Sequence, residues 1–398
     1  MPTAKIAFLS CVMHGDNPRA LQMMSALRGA GHDVVAVMAQ TKAVSPPSVG
    51  GIRHIALPAP RANFWAGSHL RSLVRAVTDR MRNAWRLYRL VSAERPDVCV
   101  CHEPDSWLVG LLVKRQLGAC LLVDLREVYT DRAAAFPRLL RGLAARATDR
   151  AIRFLAGRSD GIIHVSTHRA DHYGLNHAHS VVVHHRCDPA LFAGITPKRP
   201  AGLEGRLVFI HAGLLRPNYA AAEILTALES IGTSVPEMVL LVLGDGPTSG
   251  PLGSLVDRLQ RGGRLVVLPY VPRHEAAALI KGSDVGLSLI LPVDATHRLA
   301  SPTKLFEYIT AGLPVIGSDV PEIHETLTQS KCGLLVDATR PYDIASAFVR
   351  LASDTSLRKA LAENARAAAS RLSWDAERDV LVDFIAQRFR ERSRTSHT

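Results

Sequence analysis

The feature of this 398-residue chain that most restricts its fold is a regular alternation of short apolar runs with longer amphipathic segments. The runs are rich in Val, Ile and Leu and end at Gly, Pro or Asp, as parallel strands buried on both faces do. In the first half we predict strands at Lys5–Ser10, Asp33–Met38, Asp97–His102, Cys120–Leu125, Gly161–Ser166 and Val181–His184. In the second half we predict them at Leu207–His211, Met238–Leu243, Leu265–Pro269, Val285–Ile290, Pro314–Gly317 and Gly333–Val336. This alternation predicts doubly wound α/β units.

Two sets of such units need a boundary, and the Pro- and Gly-containing segment 196–205 supplies one. We therefore predict two Rossmann-like domains that face each other across a cleft, with ligands at the carboxyl ends of the strands. The predicted domains are residues 1–198 and 199–372, and residues 373–398 are predicted to form a closing helix.

Composition excludes several classes of protein. With 47% apolar and 21% charged residues, the chain is globular rather than disordered or collagenous. No stretch reaches the roughly 18 apolar residues that span a bilayer, and the N-terminus resembles a first strand rather than a signal peptide. The six Cys include no C-x-x-C pair and lie mostly in strand-like runs. Buried free thiols in a reducing cytoplasm are the expectation.

The net charge of +12 is concentrated in one half of the chain. Residues 1–200 hold 27 basic and 14 acidic side chains, whereas residues 201–398 hold 21 and 22. Arginines recur at helical spacing between Arg71 and Arg89, opposite an apolar stripe that includes Met81 and Val91. A second cluster spans residues 138–153. Either a solvated Arg-rich helix against the core or docking on an anionic membrane would explain this pattern. Without a recognition motif and with 5% aromatics, we expect no nucleic-acid partner.

The segment Ser301–Gly317 carries the strongest functional signal. Ser301 is predicted to cap a helix with Pro302 in its first turn. The free N–H groups of that turn, with Lys304, form a site for an anion such as a diphosphate. Glu307 lies one turn further on, where its carboxylate could accept both hydroxyls of a ribose. A capped helix with a surface Lys–Glu pair would explain any one of these residues, but not the whole segment well.

A second signal is an apolar run that ends in Gly244, Asp245, Gly246 and Pro247. Glycines there let backbone N–H groups approach a ligand closely, as phosphate-binding turns do. An ordinary turn explains the same residues equally well.

Together these segments resemble the retaining nucleotide-sugar glycosyltransferases of the GT-B fold, in particular the group 1 hexosyltransferases. The resemblance rests on the order of the Gly-Asp-Gly-Pro turn, Tyr-Val-Pro at 270–272, Ser283–Leu287 and Ser301–Ile316. In the first half, the Leu27–Val35, Val123–Tyr129 and Ser159–Ser166 segments are also similar to that family.

The resemblance implies a metal-independent hexosyltransferase that retains anomeric configuration, needs no cofactor beyond its nucleoside-diphosphate sugar and stabilises the departing diphosphate electrostatically. The first domain would bind the acceptor, and the last helix would cross back onto it. Donor-binding positions are then Gly15, Gly213, Arg216, Gly244, Asp245, Gly246, Val271, Ser301, Pro302, Thr303, Lys304, Leu305 and Glu307. Candidate catalytic residues are His102, Arg126, Glu127 and Lys304, and candidate acceptor contacts are His14, Arg19 and Asp124.

Three departures from the family pattern concern the site itself. Leu299 stands where many members have a second Glu, eight residues before the ribose Glu. Arg216 is the one cation in Ala212–Tyr219, where many members have Arg and Lys for the diphosphate. Arg126 replaces a frequent His, and a guanidinium cannot act as a base at neutral pH, so a phosphate or acceptor contact is the expectation.

Histidines crowd into residues 164–185, and His168 and His172 have the i,i+4 spacing of zinc ligands. Because the intervening Glu of the zinc helix is missing, interdomain polar packing is preferred and no metal site is predicted. His102 and Glu103 lie at the carboxyl end of a predicted strand, where they could bind the acceptor or act as a base.

The sequence thus predicts a cytoplasmic glycosyltransferase, with attachment to the inner face of the membrane as an option. Its acceptor is a lipid-linked envelope glycan precursor, another glycan or a small natural-product aglycone. A nucleotide-sugar epimerase of the same fold and a catalytically inactive scaffold remain alternatives. The base and the sugar are left open.

Overall fold

The computed structural model describes residues 3–14, 17–39, 51–57, 70–131, 138–175, 178–232, 234–246 and 250–395. For residues 12–14, 70–77, 138 and 395 it describes the backbone only. The chain forms two compact units, residues 1–184 with 377–398 and residues 185–376. No helix in the described ranges is long and apolar enough to cross a membrane.

The first unit contains a sheet of seven described strands, all parallel, in the order β3-β2-β1-β4-β5-β6-β7. Its strands are β1 (Lys5–His14), β2 (Asp33–Ala39), β3 (Arg53–Leu57), β4 (Val98–Cys101), β5 (Cys120–Leu125), β6 (Gly161–His164) and β7 (Ser180–Val182). Its helices are α1 (Pro18–Gly29), α2 (Leu70–Glu94), α3 (Pro104–Leu117), α4 (Arg141–Ala156) and α5 (Thr167–Tyr173). Strands β4 and β5 are buried along their whole length, as strands covered by helices on both faces must be.

The second unit repeats this plan with six described parallel strands, in the order β10-β9-β8-β11-β12-β13. Its strands are β8 (Leu207–Ala212), β9 (Met238–Leu243), β10 (Leu265–Leu268), β11 (Val285–Ser288), β12 (Val315–Ser318) and β13 (Gly333–Val336). Its helices are α6 (Ala221–Ser230), α7 (Gly250–Arg261), α8 (Arg273–Lys281), α9 (Ala295–Arg298), α10 (Thr303–Thr310), α11 (Pro321–Ser330), α12 (Pro341–Ser353) and α13 (Thr355–Ala369). The chain then enters α14 (Trp374–Thr395), most of which belongs to the first unit.

The predicted α/β class and its two parallel, doubly wound sheets are confirmed. All twelve predicted strands are present, with ends that differ by a few residues. Among the described strands, the one missing from the prediction is β3, which pairs with β2 at the sheet edge. Its sequence, Arg-His-Ile-Ala-Leu, contains two polar residues in five, and an edge strand tolerates them because it is covered less completely than a central one.

The units divide the chain at different residues from the predicted domains. Residues 185–198 lie in the second unit, because Cys187 pairs with Ser373 and the Lys198 N–H bonds to the Ala278 carbonyl. Residues 373–376 also stay with the second unit.

Candidate functional site

Each sheet has one point at which its winding reverses. Successive connections leave β8 toward β9 on one side and β11 toward β12 on the other, while β8 and β11 are hydrogen-bonded neighbours. In the first unit β1 and β4 have the same relation. Ligands of doubly wound sheets bind beyond the carboxyl ends of the strands at such a point. The segments that follow β8, β11, β1 and β4 are therefore the expected ligand-binding segments.

Two glycines shape the loops after β8 and β9. Gly213 and Gly244 have φ values of +119° and +138°, a region that favours glycine. A Cβ on Gly244 would lie 2.9 Å from the carbonyl carbon of Gly213, so the two loops meet backbone to backbone. The Leu215 N–H donates to the Asp245 carbonyl at 3.0 Å and fixes this contact. The glycines predicted from the sequence thus allow the loops after β8 and β9 to pack against each other, whereas the side chain of Asp245 is exposed.

Helix α10 approaches the same strand end. A side chain on Gly286 would meet the Tyr308 ring at 2.4 Å, so glycine in β11 makes room for this buried tyrosine. The Ala212 N–H, at the end of β8, donates to the Tyr308 hydroxyl at 2.8 Å. Helix α10 is thereby fixed against the carboxyl end of β8.

The start of α10 differs from the prediction. The helix begins at Thr303 with Pro302 as its N-cap and without a side-chain capping bond. The predicted cap by Ser301 is therefore wrong, because the helix starts one residue too late for that hydroxyl to reach the N–H groups of its first turn. Ser301 is 7% exposed, and its Oγ has no hydrogen-bond partner among the described residues. The first-turn N–H groups of an α-helix also lack intrahelical partners, so this end of α10 offers several donors.

Lys304 places its amine over the end of β8. Its Nζ lies 3.3 Å from Nε2 of His211 and 5.0 Å from the centre of the Tyr219 ring, and a Cβ on Gly213 would be 3.7 Å away. Burial lowers the pKa of Lys304 to about 7, although Glu307 acts in the opposite direction. Burial and then Lys304 hold the pKa of His211 well below its ordinary value, so this imidazole is neutral. An anion at this position would restore the full charge of Lys304.

Glu307 lies on the next turn of α10, and its Oε1 is 3.8 Å from a guanidinium nitrogen of Arg273. Burial raises the pKa of Glu307, while Arg273 and Lys304 lower it. Arg273 is the first residue of α8, two residues after the partly buried Val271. Arg273 was not predicted as a site residue, and its one signal in the sequence is the Pro-Arg start of a helix directly after Tyr-Val.

The loop between β11 and α10 is held by an Asp–His–Asn chain. Asp294 caps α9, and its Oδ1 lies 2.6 Å from Nδ1 of His297. Nε2 of His297 lies 2.6 Å from Nδ2 of Asn218, and the Leu291 N–H donates to the Asn218 carbonyl at 3.0 Å. These contacts position the segment that contains Leu299, where the family's second Glu is absent. The contact between Asn218 and His297 was not predicted from the sequence, because the two residues are 79 positions apart.

In the first unit a buried charged cluster closes the carboxyl ends of β4 and β5. Asp124 is fully buried, with its two oxygens 3.0 and 3.3 Å from guanidinium nitrogens of Arg19 and Oδ2 also 2.8 Å from Nδ1 of His102. Burial would raise the pKa of Asp124, but Arg19 and His102 outweigh it and lower the pKa well below its usual range. Burial lowers the pKa of His102, whose Nε2 has no hydrogen-bond partner among the described residues.

Arg126 extends this cluster to Glu103. A guanidinium nitrogen of Arg126 lies 3.2 Å from Oε1 of Glu103, and the Ser10 hydroxyl donates to Oε2 at 2.6 Å. Burial raises the pKa of Glu103 to about 7, against the opposing effect of Arg126. The sequence indicated Glu103 together with His102 at the end of this strand, but it did not indicate the partners of Glu103. Its partners come from β1 and from the segment after β5, which sequence spacing does not reveal.

The predicted residues thus fall into three groups. Brought together in the second unit are Gly213, Gly244, Ser301, Pro302, Thr303, Lys304 and Glu307, with buried Leu305 behind them. His102, Arg19, Asp124 and Arg126 meet in the first unit, where Glu127 is exposed. Arg216 is exposed, Gly246 precedes residues outside the description, and Gly15 and the side chain of His14 lie outside it. The roles assigned to all these residues stay predictions.

Two family models match this chain, one over most of each unit. Residues 196–368 match the family model of group 1 glycosyl transferases, and residues 15–185 match that of the glycosyl transferase 4-like domain. N-acetyl-alpha-D-glucosaminyl L-malate synthase of Bacillus anthracis is 28% identical over 163 residues, 41% of this chain and 40% of that protein. Chitobiosyldiphosphodolichol beta-mannosyltransferase of Candida albicans is 23% identical over 135 residues, 33% of this chain and 29% of that protein. The chain thus matches less than half the length of these curated relatives.

A solved structure extends the likeness of fold to nearly the whole chain. Anabaena HepE in complex with UDP and glucose superimposes with a TM-score of 0.71 at 15% identity, covering 96% of this chain and 100% of HepE.

Proposed function

We propose that this chain, which belongs to the group 1 glycosyltransferases with the GT-B fold, moves a hexose from a nucleotide sugar to an acceptor with retention of anomeric configuration. The acceptor in this proposal is a lipid-linked glycan precursor, another glycan or a small aglycone. The proposal is supported chiefly by Lys304, whose amine lies beside the first turn of α10 at the carboxyl end of β8.

The donor diphosphate would bind where cationic and N–H donors converge. In this proposal Lys304 and the first-turn N–H groups of α10 bind its oxygens, and Ser301 Oγ donates a further hydrogen bond. Glu307 accepts the ribose hydroxyls, and Arg273 keeps its carboxylate charged and oriented. HepE, the fold relative solved with UDP and glucose, makes a uridine nucleotide the first donor to test.

Catalysis would follow from the charge that builds on the leaving group. As the bond from the anomeric carbon to the β-phosphate oxygen breaks, negative charge grows on the diphosphate, where Lys304 and the end of α10 stabilise it. The acceptor oxygen attacks the same face of the sugar and gives its proton to the departing phosphate. The protein supplies the positive charge itself, so the proposed reaction needs no metal ion.

The test is a panel of UDP-, GDP-, ADP- and TDP-sugars, read first by thermal stabilisation of the purified protein and then by transfer. The nucleotide sugar that stabilises the protein should be consumed with an acceptor in the presence of EDTA, and NMR should show the donor's anomeric configuration in the product. No stabilisation by any member would refute the proposal. An inverted product would refute retention alone, and the names of the two curated relatives include both an alpha- and a beta-glycosyl product.

Replacing Glu307 by Gln should raise the Kd of the donor by about 10- to 100-fold, because a carboxylate that accepts two hydroxyls becomes an amide. The measurement is calorimetric titration with the nucleotide sugar chosen by the panel. Glu363→Gln, at an exposed position of α13, is the matched control and should keep the wild-type Kd. Unchanged affinity in Glu307→Gln would remove the ribose role from this residue.

Donor affinity should fall as the pH rises above 7. With a pKa of about 7, the Lys304 amine loses its charge as the pH rises above 7 in the free protein, whereas a bound diphosphate stabilises the ammonium. Binding therefore takes up a proton, and affinity should drop by up to about tenfold per pH unit between pH 7 and 9. Titrations in buffers with different ionisation enthalpies measure that uptake. A pH-independent affinity, or uptake that persists in Lys304→Met, would contradict this assignment.

A further inference from the structure

Helices α2, α3 and α4 form one continuous layer on the first unit. They connect β3 to β4, β4 to β5 and β5 to β6, all in the same direction across the sheet, so right-handed crossovers place them on one face. Arg80 of α2 lies 3.6 Å from Asp105 of α3. Lys114 of α3 lies 2.8 Å from Asp160, just after α4.

The outward side of this layer exposes large apolar side chains. Met81 and Trp85 on α2 are 68% and 59% exposed, and Leu108 on α3 is 54% exposed. Leu139, in the helical turn before α4, is 95% exposed, and Leu143 on α4 is 64% exposed. The assignment of Met81 to the buried stripe of α2 is therefore wrong. Leu87 and Val91 face the core, and Met81 lies outside it because helix rotation separates it from them.

Cations share this surface with the apolar residues. Helices α2, α3 and α4 contain twelve Lys and Arg against four Asp and Glu. On α4, Leu143, Arg146, Arg150 and Phe154 follow at steps of three or four and are all exposed, whereas Ile152, Leu155 and Ala156 near its end are buried. On α2, Arg82, Arg86 and Arg89 are exposed near Met81 and Trp85. Each of these two helices thus presents apolar and cationic groups in the same direction.

The positive charge and the exposed leucines together indicate which class of partner fits this surface. A second copy docking through the same face would bring two surfaces of like charge together, which opposes association. A nucleic acid would use the arginines but leave the leucines and Met81 in water. An anionic bilayer accommodates both, because leucine and phenylalanine enter the acyl boundary while arginines bind the lipid phosphates.

We propose that the outward face of α2, α3, the turn at 138–140 and α4 binds an anionic lipid surface, with Leu139, Leu143 and Phe154 entering the bilayer. The proposed lipid-binding surface belongs to the first unit and the proposed donor site to the second, so either proposal can fail without the other. The arginine spacing left two explanations, a solvated helix packed against the core and docking on an anionic membrane. The exposed leucines favour the membrane, since a solvated face would not expose them.

The test is co-sedimentation of the full chain with vesicles of phosphatidylcholine alone or with about one third phosphatidylglycerol. Binding should require the anionic lipid and weaken as salt rises. Arg146→Gln/Arg150→Gln should lower the partition coefficient by about 25-fold, since each surface arginine contributes about fivefold. Leu139→Ser/Leu143→Ser should lower it by at least about tenfold at the same salt concentration.

Two exposed positions of the second unit provide matched controls, Tyr342→Ser and Arg261→Gln, and both should bind as wild type. Hydrogen exchange of the wild-type protein should show added protection at 139–154 on anionic vesicles, which tests the surface even if a variant misfolds. The proposal is overturned if wild type does not bind anionic vesicles at low salt, or if both double variants bind normally. It is equally overturned if light scattering shows a dimer that the leucine variant dissociates, or if the arginines bind a nucleic-acid duplex instead.

Discussion

Lys304→Met should lower kcat/KM for sugar transfer by about 100- to 1000-fold, the range found when one preorganised donor to developing negative charge is removed. Methionine keeps the length and apolar stem of lysine, so the change removes charge with little loss of packing. The folded protein should be no less stable, because the wild-type amine is held at a pKa of about 7 by burial. The neutral His211 beside it cannot replace the charge.

The measurement is steady-state transfer with the donor found by the nucleotide panel, together with its Kd. The loss should appear in Kd, because the intact donor already binds the charged amine, and also in kcat, because the leaving group carries more negative charge than the intact donor. Lys359→Met, at an exposed position of α13, controls for loss of a lysine in the same unit. A kcat/KM within threefold of wild type in Lys304→Met would show that the diphosphate is stabilised elsewhere.

Asp124→Ala should destabilise the first unit by about 3–5 kcal/mol, the cost of leaving a buried charge without its partner. Arg19 is 5% exposed and, among the described residues, would keep its contacts with the carbonyls of Val183 and His184. The loss would reach several elements at once, because Arg19 lies in α1, Asp124 in β5 and His102 just after β4.

Native-state hydrogen exchange of peptides from β4 and β5 measures this loss within the first unit. Asp149→Ala removes a carboxylate that pairs with Arg153 at 2.8 Å on the exposed side of α4, and should cost less than about 1 kcal/mol. Equal effects of the two substitutions would show that the buried cluster contributes no more than a surface ion pair.

The local sequence pattern was sufficient to predict the completely buried strands. Completely buried strands such as Cys120–Leu125 and Met238–Leu243 have bounds identical to those predicted, because an apolar run between turn residues has few alternatives. The edge strand β3 was missed, since its partial exposure leaves an ambiguous pattern. The start of α10 was predicted one residue too early, because Ser301 is a residue type that often caps helices. The ends of helices are the parts that sequence patterns predict least well.

The same distinction applies to the candidate site. Glycines and the Lys304–Glu307 spacing are local, so they could be predicted from the motif. Arg273 reaches Glu307 across 34 positions of the chain, and Arg19 reaches Asp124 across 105. Such pairs depend on which strands become neighbours, and residue spacing alone does not determine that.

The return of α14 to the first unit makes that unit discontinuous along the chain. Residues 185–376 are an insertion between two parts of one folded body, and the second part packs on the first through several contacts. Phe384 and Arg388 cover Gly161 on β6, and Glu377 binds the N–H and Nδ1 of His184. During synthesis the second unit can therefore complete its sheet while the first still exposes the surface around β6. The first unit, although most of it is translated first, therefore lacks part of its cover until residues 377–395 leave the ribosome.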